Sequence, residues 1–139
     1  GLCGDGSVHL GLYPLAGAVG DMPKMDDRFA MAKYRHGWFA LRDFPRMGIG
    51  QIDWETGEVT AQTLEGAAAQ EPLFVPRSAA AEEGDGFIFT VVDRFAERRA
   101  ELLILDARDV SRPPLATVRL PFAMPMAFHG CWVPSKENA

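Results

Sequence analysis

The sequence predicts an all-β fold, and three observations carry that expectation. Its 139 residues include 14 glycines and 10 prolines, more than an average chain of this length holds. Apolar residues cluster in short runs bounded by Gly, Pro, Asp and Glu, the punctuation of strands and turns. No segment offers ten or more residues with helical apolar spacing and end caps. The length suits one domain at most. With 47% hydrophobic and 24% charged residues, the composition excludes wholesale disorder.

Taken in order, residues 1–20 are rich in Gly, Leu and Ala, lack a clean period and receive no assignment. Residues 21–34, dense in Met, Lys and Asp, read as an exposed connection. His36–Arg42 is strand-like, with Gly37 marking a bulge or bend. Ile49–Trp54 and Glu58–Leu64 flank Glu55-Thr56-Gly57 and read as a β-hairpin in which Gly57 supplies a positive φ. Gly66–Gln70 reads as a small-residue loop. In Glu71–Pro76 the two prolines exclude a helix and limit pairing, so a short or edge strand is expected.

Ser78–Gly86 is an acidic, turn-rich connection. Phe87–Val92 is an almost continuous β-branched and aromatic run, the pattern of a strand buried on both faces. Glu101–Leu105 is similar, and Asp106–Asp109 suits a single helical turn. After Pro113-Pro114, the segment Leu115–Leu120 places Ala116, Val118 and Leu120 on one face and Thr117 and Arg119 on the other, as in a half-exposed strand. Short connections predict antiparallel pairing, and a sandwich, a barrel or a propeller all fit. The absence of a strict internal repeat argues against WD40 or Kelch arrays.

Charge and motifs narrow the function. A formal charge of −5 without a basic stripe repels phosphate backbones, so no nucleic-acid partner is expected. No stretch reaches the roughly 18 consecutive apolar residues of a spanning helix. Cys3 and Cys131 lie at opposite ends without a C-x-x-C motif, and read as free thiols in a reducing, cytoplasmic compartment. The chain starts at Gly1 and not at Met, which reads as processing or as a cut from something longer. His9, His36 and His129 fall in no H-x-x-x-H or H-x-x-E-H pattern. On spacing alone each reads as a packed or solvated residue.

Motif order changes that reading for His129. EPLFVPR (Glu71 to Arg77), the acidic EEGDG (Glu82 to Gly86) leading into FIFTVVD, ELLILDARDVSRPPLATVRLP (Glu101 to Pro121) and MPMAFHGCWVP (Met124 to Pro134) follow one another with compatible spacing. In that order they resemble the C-terminal end of the carotenoid cleavage oxygenases, which include the lignostilbene dioxygenases. Upstream, MPKMDDRFAMAKYRHGWFA (Met22 to Ala40) is similar to the preceding segment of the stilbene-cleaving branch. The resemblance covers about residues 21–134 and leaves out the Gly-rich start; residues 21–139 thus read as one C-terminal portion.

The resemblance implies roughly two blades of a seven-bladed β-propeller with Fe(II) on its axis, held by four histidines. His129 matches the last of these metal ligands. Neutral imidazoles leave the metal at full charge with open positions for O2 or substrate. Glu71 matches a glutamate that accepts a hydrogen bond from a ligand imidazole, which fixes its tautomer and direction. Asp21 falls where another such glutamate is expected. One methylene shorter, it needs a water bridge or a local shift to serve. His36 matches a histidine of the stilbene-cleaving branch that is no ligand, and Phe128 and Trp132 are expected to pack the core around His129.

The implied reaction inserts O2 across a conjugated C=C bond of a carotenoid, apocarotenoid or stilbene, an apolar polyene or aryl-alkene substrate. The other three ligands belong to earlier blades that this chain lacks, so the chain alone is expected to be inert. A membrane-surface contact is left open for the full-length protein. Two other readings stand beside this one: a non-catalytic β-propeller-derived binding module or degenerate remnant, and a truncated product whose open edges prevent folding.

Overall fold

The computed structural model of the chain describes residues 18–125 and 127–133. Cys3, His9 and nearly all of the unassigned Gly-rich start lie outside them. The described residues form nine strands and one three-residue 3-10 turn, Asp27–Phe29. The all-β expectation holds. The strands are β1 (Gly20–Met25), β2 (His36–Asp43), β3 (Arg46–Asp53), β4 (Val59–Leu64), β5 (Ala67–Ala69), β6 (Leu73–Pro76), β7 (Gly86–Arg94), β8 (Arg99–Asp106) and β9 (Ala116–Arg119). All pairing is antiparallel, in a sheet β1-β2-β3-β4 and a second sheet β5-β7-β8-β9, in which β6 also pairs with β7.

The hairpin β3–β4 forms as its composition predicts, with Gly57 at φ 74 in the turn. Other expectations change. The connection expected over residues 21–34 contains β1 and a buried Asp26. Its Met- and Lys-rich sequence pairs because β2 offers it a free edge. The Ala-rich loop contains β5, every residue of which is buried. Small side chains let it lie close against the neighbouring sheet. The helical turn expected at Asp106–Asp109 is a plain turn, closed by the Asp109 N–H donating to the Asp106 carbonyl at 3.3 Å. Pro113-Pro114 lies too near for it to lengthen.

Strand β7 is buried on one face only. Ile88, Thr90 and Val92 are buried, while Phe87, Phe89 and Val91 are half-buried. Among the described residues no second sheet covers the latter face; Arg77 lies over the Phe87 ring at 4.6 Å and Trp132 leans on Phe89 at 5.6 Å. Strand β9, the edge of its sheet, is exposed along its whole length and on both faces, so Ala116 and Val118 do not form the covered face that the alternation predicts.

Trp38 is the centre of the core. Its ring stacks on Phe74 with centroids 4.8 Å apart, and its indole N–H donates to the Ala107 carbonyl at 3.1 Å. This places β2 of the first sheet against β6 of the second, with Ile49, Ile88, Leu103 and Leu105 completing one cluster between the sheets. A smaller cluster of Phe39, Leu41 and Ile52 occupies the opposite face of the first sheet.

Two polar locks supplement the core. Arg28 binds both oxygens of Asp26, which is only 2% exposed, and donates to the carbonyls of Ala79 and Ala81 at 3.1 and 2.9 Å. It thereby ties the 3-10 turn to the loop before β7. Buried Glu101 accepts from Arg94 at 2.8 Å and from Arg99 at 2.9 Å.

The hydrogen bond from Arg94, more than any other influence, holds the Glu101 carboxyl below its ordinary value of 4.5. A lowered folded-state pKa gives stability that is complete above the unfolded value and is lost as the pH falls through the folded one. Glu101→Gln should therefore flatten the fall in stability below about pH 4.5, read from urea midpoints at successive pH values. An unchanged acid slope would assign the loss to other carboxylates.

Candidate metal centre

The candidate centre grows from an irregularity in the second sheet. Strands β5 and β6 run in line along β7, yet between the pairs Ala69↔Val92 and Leu73↔Phe89 three residues face two. Gln70, Glu71 and Pro72 thus form a one-residue β-bulge opposite Thr90 and Val91. Proline fits there, having no N–H to leave unpaired. Bulges re-aim side chains, and here Glu71 meets the C-terminal segment.

Glu71 engages that segment with both oxygens. The Gly130 N–H donates to Oε2 at 2.8 Å, and His129 Nδ1 lies 3.2 Å from Oε1. A carboxylate only accepts, so Nδ1 carries the hydrogen and Nε2 keeps its lone pair. The Glu71 side chain is 10% exposed and the His129 side chain 81%. The base of the pair is fixed, and the ring it holds is open. Beside them lies a cleft of about 220 Å³, its apolar lining including Leu73, Phe89, Leu102, Met124 and Phe128.

Gln70, the last residue of the stretch expected to be a loop, is 6% exposed. Its Nε2 donates to Asp93 Oδ2 at 2.9 Å and to the Pro125 carbonyl at 3.5 Å, and its Oε1 accepts from the Ala127 N–H at 3.3 Å. In the sequence this residue is marked only as a glutamine closing an alanine run.

The other sequence-predicted residues lie apart from this pair. Asp21 sits at the edge of a second bulge, in β1, and pairs with Arg42 at 3.1 Å. Arg42 in turn donates to the Ala69 carbonyl at 2.7 Å, joining the two sheets. His36 opens β2, where its backbone N–H donates to Glu83 Oε1 at 2.9 Å. Its ring packs on Gly84, where a Cβ would lie 2.7 Å from Cδ2 and where φ is +75°. Nearby, a hydrogen bond from Arg35 holds the Asp53 carboxyl well below the usual carboxylate range.

Phe128 and Trp132 do not enter the core; they are 68% and 50% exposed. The segment bearing them crosses the outer face of the second sheet and covers it from one side. Cys131 is an exposed free thiol. Among the described residues no three His, Cys, Asp or Glu side chains are grouped to hold a metal. One imidazole with an open Nε2 and a carboxylate behind Nδ1 has the donor chemistry of a single metal ligand, and a complete site needs others.

Residues 5–134 match the family of RPE65, the retinal pigment epithelial membrane protein. The chain belongs to this family. Among its relatives, the isoeugenol monooxygenase of Pseudomonas nitroreducens is 42% identical over 128 residues, a span of 82% of this chain and 27% of that protein. The lignostilbene-alpha,beta-dioxygenase isozyme III of Sphingomonas paucimobilis is 30% identical over 134 residues, covering 86% and 27%. The solved lignostilbene dioxygenase of Pseudomonas brassicacearum superposes with a TM-score of 0.81 at 35% identity, over 88% of this chain and 28% of that one. A cobalt-substituted Synechocystis ACO superposes at 0.80 with 27% identity, over 87% and 26%. The isoeugenol, lignostilbene and Synechocystis relatives bear the names of oxygenases. The chain spans about a quarter of their length.

Proposed function

We propose that these residues form the C-terminal part, roughly two blades, of a seven-bladed β-propeller oxygenase that cleaves a conjugated C=C bond. The observation that carries this reading is the contact of Glu71 with both His129 Nδ1 and the Gly130 N–H. His129 binds Fe(II) through Nε2. Glu71 fixes the ring's tautomer and direction and raises its basicity. Asp21, paired with Arg42, supports another imidazole through a water bridge or after a local shift. That imidazole and the remaining ligands come from sequence beyond this chain, because one imidazole does not hold Fe(II) against water; the 139 residues alone are inactive.

Bound iron supplies the one-electron chemistry that lets O2 react with a closed-shell alkene. Both oxygen atoms enter the products, the C=C bond breaks, and two carbonyl compounds leave. The identities to the isoeugenol and lignostilbene enzymes favour an aryl-conjugated alkene over an apocarotenoid as substrate. The same reading sets the protein in the reducing cytoplasm and leaves contact with a membrane surface open for the full-length protein.

The test supplies the complete protein that includes this chain with Fe(II), O2 and, in turn, isoeugenol, a hydroxystilbene and an apocarotenal. The expected result is an aryl aldehyde from one of the first two, formed at least about tenfold faster than any apocarotenal product. Absence of iron from the purified protein, or no cleavage of all three, would overturn it. Cleavage of the apocarotenal alone would overturn the choice of substrate.

A further inference from the structure

We infer that Gln70 is a positioning residue for the metal centre, setting where the His129 segment lies on the sheet. The inference rests on the reading of His129 as an iron ligand and extends it to a residue whose hydrogen bonds go to Asp93, Pro125 and Ala127 and not to His129. Glu71 holds the segment at residues 129 and 130, but a carboxylate fixes only the atoms it accepts from. Two to four residues earlier, the Gln70 amide uses both of its ends: Nε2 on the Pro125 carbonyl and Oε1 on the Ala127 N–H.

The amide itself is held in one orientation. Asp93 Oδ2 accepts from Nε2 at 2.9 Å, which settles which end of the amide donates. The Gln70 main chain is held too, since its N–H donates to the Val91 carbonyl at 2.8 Å and its carbonyl accepts from the buried Thr90 hydroxyl at 3.1 Å. The path from sheet to imidazole is then continuous: Asp93 orients Gln70, Gln70 fixes residues 125 and 127, and Glu71 takes up residues 129 and 130. Metal ligands must be placed to within a fraction of an ångström of productive geometry, and Glu71 alone leaves the approach of the segment free.

The test compares the complete protein with its Gln70→Ala, Gln70→Glu and Gln70→Glu/Asp93→Asn variants. The last pair exchanges donor and acceptor between the two side chains. Expected are about tenfold weaker iron binding for Gln70→Ala and Gln70→Glu, and recovery of part of that loss in the double variant, which restores the contact with residue 93 but leaves the Pro125 carbonyl without its donor. In metal-free protein, amide exchange at Ala127 and Gly130 should accelerate in Gln70→Ala, while exchange at Ile88 and Leu103 stays as it was.

Unaltered exchange at Ala127 and Gly130 in Gln70→Ala would overturn the positioning role whatever the metal does. So would unaltered iron affinity in Gln70→Ala when His129→Ala has lost it. Iron affinity unaltered in His129→Ala would overturn the reading beneath it, independently of Gln70. A general loss of protection, including Ile88 and Leu103, would make Gln70 a stability residue and overturn the inference as well.

Discussion

His129→Ala is expected to strip the complete protein of iron and to abolish alkene cleavage, with little change in the folding of the 139-residue chain itself. The separation of the two effects follows from where the side chain lies. In this chain its ring is 81% exposed, so truncation removes few of the chain's own packing contacts and should move its metal-free stability by no more than about 0.5 kcal/mol. Removing the Nε2 donor takes away one member of a ligand set that works only as a set.

Glu71→Ala should weaken iron binding by about 10- to 100-fold while leaving the imidazole in place. It removes the acceptor that fixes Nδ1–H and also frees the Gly130 N–H. Glu71→Gln keeps a carbonyl acceptor and should fall between the parent and Glu71→Ala. Iron content by elemental analysis, chelator competition and thermal melts would read all three variants. An iron-loaded, active His129→Ala protein would show that this residue is no ligand.

The largest effect on stability is expected from Arg28→Ala. Asp26 is 2% exposed, and its two oxygens are satisfied by Arg28 at 2.6 to 3.2 Å. Without the guanidinium the carboxylate is a buried charge with no cation beside it, and the carbonyls of Ala79 and Ala81 lose a donor. Breaking such a pair from one side costs about 3 kcal/mol or more. Arg28→Ala combined with Asp26→Ala should recover part of the loss, because no charge is then stranded. Denaturant midpoints for the single and double variants would check this. A single variant as stable as the parent would mean that water reaches Asp26 freely.

The strands readable in the sequence were those whose own composition favours extended chain. Phe87–Val92 and Glu101–Leu105 are β-branched, aromatic or leucine-rich, and they became the central pair of the second sheet. Strands β1 and β5 were not readable, since Asp, Lys and a run of alanines say little about extension. They exist because β2 and β7 present unpaired edges to them. The two faces of β7 could not be told apart either. Its apolar alternation is nearly uniform, and what lies on each face depends on residues as remote as Trp132.

The candidate centre was legible only as far as motif order carries. Glu71 and His129 are 58 residues apart, and no spacing rule joins them; the resemblance singled both out. The partners they recruit were out of reach. Nothing in Gln70 or Asp93 announces that they meet, because their contact follows from the register of β5 on β7. Asp21 illustrates the converse. Its place in the motif was clear, but its pairing with Arg42 depends on the course of β1 beside β2.

The bulge at Glu71 has a consequence for how this protein can change. In an unbroken strand adjacent side chains part to opposite faces, yet Gln70 and Glu71 both reach the same crossing segment. Deleting one residue between Ala69 and Leu73 would heal the ladder and make a more regular sheet. It would also send these two neighbours to opposite sides, so that one of them lost its hold. A lineage that needs this centre is therefore expected to keep the length of that stretch more faithfully than its composition.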